Sequence, residues 1–557
     1  MLVAALRRAG LDAHVVYANL ELAAEIGFGR YRRFAAASWL SHGDLVFAEA
    51  AWGRSVPPEA VAFGPRADAV SREDWAATRG ALPAWIERVA DAIAARQPGV
   101  VGFSSVFEQN VSSVALARAV RARLPDTPLL LGGANAAAPM GAAIADATDV
   151  FDLVVGGEAE HELPDLARRL LAGWRPAQRS FHCAPVPSLA ESPRPDFDDY
   201  FDQLAPLVEA GRLPAGLPVA LPFESSRGCW WGERSHCTFC GLLGTEIAER
   251  AHTPERVLED IEALSERWGV PNLQAVDNLL PMRIQRTVLP ELARRQAARD
   301  RPLRFFYEVR SHLKRADLEL LAAAGVLQVQ SGLESMSTRT LERIGKGVTA
   351  PMNVVFLRNA RAVGIKPHWN WMVCFPGDER EDYEAFFRLM PFLEHLQPPV
   401  GVVPVRLDRF SPYHADPGRY GFRDVAPFPA MASAWPDHAD LEAISYHFTA
   451  EVESAWHDPT LAARASRLLG RWMAAWSGEP PTLEAESLED GRLRVRDTRR
   501  VAIEGEAVLS VKASGLLLRL EKPGTIEAVG SPPGLAELLH RGLVVQHEGM
   551  LISVVVR

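Results

Sequence analysis

The sequence predicts an α/β protein built in series. A Rossmann-like, doubly wound sheet comes first, then a partial (β/α)6 barrel, then a helical region and a small winged-helix-like module. Three observations predict this. Short apolar strands alternate with amphipathic helices through much of the chain, the pattern of parallel β–α units. A stretch rich in proline and aspartate, Arg175 to Leu217, divides the alternation into two runs and reads as a linker. The second run opens on a strand that leads straight into a cysteine-bearing loop. The expected boundaries are therefore 1–174, 175–217, 218–428, 429–484 and 485–557.

At 557 residues the chain is long enough for about three to four domains with their own cores. It is 48% hydrophobic and 23% charged, with a formal charge of −10. Proteins that neutralise phosphates carry a basic face, so the acidic total argues against a nucleic-acid partner. Five cysteines in such a length fit a reduced, cytoplasmic chain better than a disulfide framework. No stretch reaches the ~18 apolar residues that read as a membrane span. Residues 1–10 read as a helix closed by Gly10, and Asp12–Tyr17 as the strand after it. A β–α–β unit needs a strand before that helix, so the first strand is expected upstream of Met1.

The first run is clearest from Trp85 on. Trp85–Arg96 is helical, Gly99–Ser104 a buried strand and Asn110–Leu124 an amphipathic helix. Strands follow at Pro128–Leu131 and Phe151–Val155, with a helix at His161–Leu171. Parallel sheets bind ligands beyond the carboxyl ends of their strands. Those ends carry small or polar residues here: Ser104 and Ser105, Gly132 and Gly133, Gly156 and Gly157. They leave room for a large flat ligand, or they are ordinary tight turns. A Gly-x-Gly-x-x-Gly run is missing, so a nicotinamide dinucleotide is not indicated.

The cysteine loop reads Cys-Trp-Trp-Gly-Glu-Arg-Ser-His-Cys-Thr-Phe-Cys, with Cys229, Cys237 and Cys240 seven and two residues apart. Three thiolates without a plain fourth suit an iron–sulfur cluster with one iron open to a ligand. His236 keeps a Cys3His zinc site possible, since structural zinc takes four N/S ligands.

The barrel run places strands at Pro218–Glu224, Leu273–Val276, Phe305–Val309, Val326–Gln330, Lys366–Cys374 and Val400–Leu407. Six strands in about 190 residues fall short of the eight strands and ~250 residues of a closed barrel, which makes it partial and open. Chemistry in such barrels sits at strand carboxyl ends. There the chain carries Asp277 and Asn278, Glu308 and Arg310, and Gly332 with Glu334 and Ser335. Residues 430–480 read as a helical layer rich in aromatics. Leu535–Arg541, followed by a hairpin through Glu548 and Gly549, has the layout of a winged helix, a module able to bind peptides.

These stretches together carry a resemblance. Gly-Phe-Ser-Ser-Val-Phe-Glu-Gln-Asn110, Leu-Gly-Gly-Ala-Asn135, Glu-Ser-Ser-Arg-Gly-Cys229 and its loop to Leu242, and Val-Asp-Asn278 form the first part. Tyr-Glu-Val-Arg310, Ser-Gly-Leu-Glu-Ser335, Phe-Pro-Gly-Asp378 and Arg-Leu-Asp-Arg-Phe-Ser-Pro-Tyr413 complete it. From about residue 97 the chain resembles cobalamin-dependent radical S-adenosylmethionine (SAM) enzymes, more narrowly the ribosomal-peptide (RiPP) maturation radical SAM protein 1 family. The resemblance implies a [4Fe–4S] cluster on Cys229, Cys237 and Cys240, SAM on its open iron, and cobalamin on the N-terminal sheet. It implies that Asp277, Asn278, Gly332, Glu334 and Ser335 contact SAM, and that Glu308 and Arg310 act on SAM or substrate. The implied reaction is C-methylation of an unactivated carbon in a ribosomal precursor peptide, with an electron donor such as flavodoxin or ferredoxin. The alternatives are a radical epimerase, cyclase or rearrangement catalyst, a zinc-stabilised peptide-binding scaffold, and a tRNA methylthiotransferase. The methylthiotransferase would want a further cysteine triad in the N-terminal domain, and the acidic total counts against it.

Overall fold

A computed structural model describes residues 1–36, 40–63, 69–242, 244 and 246–557. The chain forms two compact units. One joins residues 1–218 with 425–449, the other 219–424 with 450–557.

The first unit holds four parallel strands, β1 (Val101–Ser104), β2 (Leu129–Gly132), β3 (Leu153–Gly157) and β4 (Ser180–Cys183). Leu129, Leu130 and Leu131 are all buried, as a parallel strand covered on both faces requires. Leu129 and Leu131 pack with the helix Asn110–Arg123, while Leu130 joins Leu166 and Leu170 on the other face. The strand order is sequential, with no reversal among the described strands, so the sheet departs from the doubly wound arrangement expected.

Three further expectations meet corrections. Residues 12–17 form no strand, because side chains from the helix Asp198–Glu209 take their amides: Val15 N–H donates to Asp199 and Tyr17 N–H to Gln203. The stretch expected as a linker supplies that helix and β4, and belongs to the unit rather than bridging away from it. The residues before β1 are mostly helical. The longest helix, Arg72–Ala94, is closed at its start by a reciprocal Ser71–Asp74 capping box. The expected helical layer also divides. Residues 425–449 put Trp435 into this core, where its ring lies 5.8 Å from Trp52.

The second unit is the open barrel. Strands β5 (Leu221–Phe223), β6 (Asn272–Ala275), β7 (Arg304–Val309), β8 (Val326–Ser331) and β9 (Lys366–His368) lie side by side in parallel. A parallel pair, β10 (Trp371–Val373) and β11 (Val402–Pro404), continues the wall through a bridge between Glu334 and Trp371. The expected strand Lys366–Cys374 is thus broken in two. The helix Pro254–Trp268 shows how local chemistry sets such units. Thr253 accepts the Arg256 amide, Pro254 opens the first turn, and Gly269 at φ 64° ends the helix.

The C-terminal module has a three-stranded antiparallel sheet over residues 483–508, three short helices and a hairpin. Glu548 and Gly549 turn that hairpin with φ of 47° and 74°, the signs a tight two-residue turn needs. Among the described residues no helix is long and apolar enough to cross a membrane.

Candidate active site

The site of the second unit is built on the end of β5. Ser225 and Ser226 follow that strand, and buried Asp277, just after β6, accepts both their amides at 2.8 and 3.1 Å and the Ser225 hydroxyl. Asp277 therefore ties the chain that enters the cysteine loop. Burial pushes its carboxyl up to about 6 against those hydrogen bonds. Gly228 comes next at φ 84°. A Cβ there would lie 2.6 Å from the Ala248 carbonyl carbon and 2.8 Å from the Ile247 oxygen, so only glycine fits. The Cys229 amide then donates to Ile247 at 3.0 Å.

Cys229 caps the short helix Trp230–Arg234, its sulfur accepting from Gly232 at 3.4 Å. Cys237 and Cys240 close a turn, with Cys240 N–H on the Cys237 carbonyl at 3.0 Å. His236 is occupied elsewhere, its Nε2 lying 2.8 Å from the Cys240 carbonyl oxygen. Among the described residues no three His, Cys, Asp or Glu side chains stand close enough to share one metal ion. Three thiols on one loop, with the His236 ring nitrogen taken by a carbonyl, are the donor set of a [4Fe–4S] group that keeps one iron open. Burial pushes the Cys229 thiol up and Cys240 up to about 12, so iron must displace protons on loading.

The strand ends gather around this loop. Arg310, after β7, lies 3.6 Å from the centre of the Trp231 ring and donates to the Lys346 carbonyl. Burial lowers its guanidinium to about 10, while Cys237 and Cys229 favour the charge. Glu308 on β7 is raised to about 7 by burial, with Lys346 opposing that rise and Glu334 and Asp277 adding to it. Glu334 sits in the left-handed region at φ 58° and pairs with Lys346 at 2.9 Å. Gly332 leaves space that the Lys346 ammonium occupies, so its missing side chain answers to that lysine. Ser335 is buried and accepts the Ser337 amide at 3.1 Å. Asn278, half-buried beside Asp277, has no hydrogen-bond partner for its amide among the described residues. Lys346 is the member that sequence reasoning missed. It lies between Gly345 and Gly347, where a lone lysine reads as a surface turn.

In the first unit the predicted strand ends form a stitched edge. Ser105 donates to Asn110 at 2.6 Å, and Asn135 donates to Ser105, Asn110 and the Phe107 carbonyl at 2.9, 3.1 and 2.8 Å. Glycines 133, 156 and 157 stand where a Cβ would strike the backbone of Ser105, Ala136 and Cys183, and Gly132 approaches Val155. They serve the tight turns. Ser104, Gly133 and Gly157 are nonetheless exposed along the edge, and Phe107, at φ 51°, is 60% exposed beside them. An open edge of small residues with an unpacked aromatic has the features a flat corrinoid needs. Sequence reasoning also missed buried Asp44 and half-buried Glu108. Burial raises them to about 7 and about 8, and they accept the amides of Val111 and Gly43.

This arrangement defines a class. Residues 223–390 match the Radical SAM superfamily, whose chemistry uses a [4Fe–4S] cluster and SAM. Two curated relatives are methyl-transfer proteins by name. An uncharacterized methyltransferase of Pyrococcus horikoshii is 26% identical over 212 residues, 38% of this chain and 43% of the relative. The hopanoid C-3 methylase of Methylococcus capsulatus is 27% identical over 306 residues, 52% of this chain and 55% of the relative. The chain thus spans about half the length of these relatives. Among solved structures, the cobalamin-dependent SAM radical enzyme OxsB with aqua-cobalamin bound superposes with a TM-score of 0.53 at 14% identity. That likeness covers 68% of this chain and 59% of OxsB, and is one of fold.

Proposed function

We propose that the chain is a cobalamin-dependent radical SAM methyltransferase that places a methyl group on an unactivated carbon of a ribosomally made peptide. The observation that carries the reading is the cysteine loop. Three thiols sit on one loop at the carboxyl end of β5, inside the segment that matches the Radical SAM superfamily. When bound, the cluster supplies the electron that splits SAM into methionine and a 5′-deoxyadenosyl radical, and cobalamin carries the methyl group. Its electron comes from a one-electron donor such as flavodoxin or ferredoxin. The relatives named for methyl transfer and the OxsB-like fold support methylation with cobalamin. The motif resemblance and the winged-helix-like module support a peptide substrate.

The residues divide the work. Asp277 holds the entry to the cysteine loop, and Asn278 beside it meets the methionine end of SAM. Glu308, ionising near neutrality, holds or releases a proton at the barrel mouth. Arg310 braces Trp231 and faces the thiolates with a fixed charge. Gly332, Glu334 and Ser335 form the wall along which SAM lies. Ser104, Gly133 and Gly157 form the cobalamin edge. All five cysteines are free, which suits a reducing, cytoplasmic setting for an oxygen-sensitive cluster. The test is anaerobic incubation of the reconstituted chain with reductant, SAM, cobalamin and a candidate precursor peptide. Methylated peptide is expected; 5′-deoxyadenosine without a methylated product would sink the methylation reading.

A further inference from the structure

We propose that Lys346 is a fixed charge that sets the potential at which the cluster takes its electron, with Glu334 opposing it. The inference rests on the cluster reading of Cys229, Cys237 and Cys240.

The loop that presents Lys346 is clamped to the cysteine loop on both sides. The Ile344 carbonyl accepts the Thr238 amide at 3.1 Å, and the Gly345 carbonyl accepts the Trp231 indole at 3.1 Å and the Ser235 hydroxyl at 3.2 Å. The Lys346 carbonyl accepts Arg310. Gly345 and Gly347 take φ of 68° and 64°, and a Cβ on Gly347 would strike the Trp231 ring. This backbone is held in one place by glycines no other residue could replace without strain. The side chain is held too. Lys346 is 9% exposed, and its ammonium lies 2.9 Å from Glu334 and 5.7 Å from the centre of Phe239, the residue preceding Cys240. Gly332 has no side chain where that ammonium passes.

Burying a lysine is costly; its charge is kept first by Glu334 and then by the thiol side of the cysteine loop. Cys237 is among the charges that stabilise the Lys346 ammonium, and Lys346 in turn favours the thiolate of Cys240. An oxidised [4Fe–4S]²⁺ core with three thiolates has a net charge of −1, and one added electron makes it −2. No bond forms or breaks in that step. The electron arrives from the one-electron donor, and a fixed cation in a low-dielectric site favours the more negative product. Glu334 works in the opposite sense.

The test is a potentiometric titration followed by electron paramagnetic resonance on the reconstituted full chain, without SAM. Lys346→Met is expected to shift the potential negative with iron and sulfide unchanged, and Lys346→Arg to restore it. Glu334→Gln is expected to shift it positive. Should Lys346→Met fail to load, the direction of the Glu334→Gln shift decides alone. A loaded wild type whose potential is unmoved by Glu334→Gln and Lys346→Met overturns this inference and leaves the cluster reading standing. A wild type that takes up neither iron nor sulfide overturns both.

Discussion

Gly228→Ala tests how the fold places the cysteine loop. At φ 84° an alanine pays the left-handed penalty of about 1–2 kcal/mol. Its Cβ also meets the Ala248 and Ile247 backbone, which cannot swing aside as a side chain would. Relief requires moving the segment that anchors the Cys229 amide, a further cost on the order of 1–2 kcal/mol by comparison with other held strain. A total of about 3 kcal/mol corresponds to roughly a hundredfold weaker cluster loading, at 1.4 kcal/mol per tenfold. The assay is iron and sulfide per chain after reconstitution against a graded iron chelator. Gly269→Ala is the control, since Gly269 has φ 64° in open space at a helix end. It is expected to lose about 1 kcal/mol of stability and no iron. Wild-type loading by Gly228→Ala, or equal loss in both variants, would refute the reasoning.

Other outcomes follow from the same geometry. Asp277→Ala strips the acceptor from Ser225 and Ser226 and is expected to cost about 3 kcal/mol in urea unfolding, with Asp277→Asn recovering part of it. Glu308 has a folded pKa raised to about 7, above its value in an unfolded chain. Its stabilising effect is therefore complete in acid and is lost as pH rises through about 7. Glu308→Gln should flatten the fall in urea stability between about pH 4.5 and 7; an unchanged slope would rule out the raised carboxyl. Asn135→Ala removes three hydrogen bonds that join the loops after β1 and β2. It is expected to cost about 2 kcal/mol and to lower retained cobalamin by visible absorption, while iron stays unchanged.

Much of this was legible in the sequence because short-range signals carry it. Spacing alone brought Cys229, Cys237 and Cys240 to one loop. The switch from strand to turn residues placed Asp277, Glu308, Arg310 and Glu334 at barrel strand ends. What stayed hidden depends on long-range packing. Strand β4 and the helix Asp198–Glu209 lie among prolines and aspartates whose local chemistry says loop, yet Asp199 and Gln203 satisfy the amides of residues 15 and 17. Trp435 reads as one aromatic of a helical layer, and only the fold returns it to the first unit. The glycines at the first sheet's strand ends were ambiguous for a physical reason. A position that must admit a ligand and one that must admit a neighbouring turn both forbid a Cβ. Lys346 was invisible because its burial comes from the cysteine loop more than a hundred residues earlier.

The most direct test of the central claim is metal and sulfide analysis of the anaerobically reconstituted chain, with spectra recorded on adding SAM. About four irons and four sulfides per chain are expected, lost in Cys240→Ser, with a spectral change when SAM reaches the open iron. One zinc per chain, no sulfide and no response to SAM would contradict it.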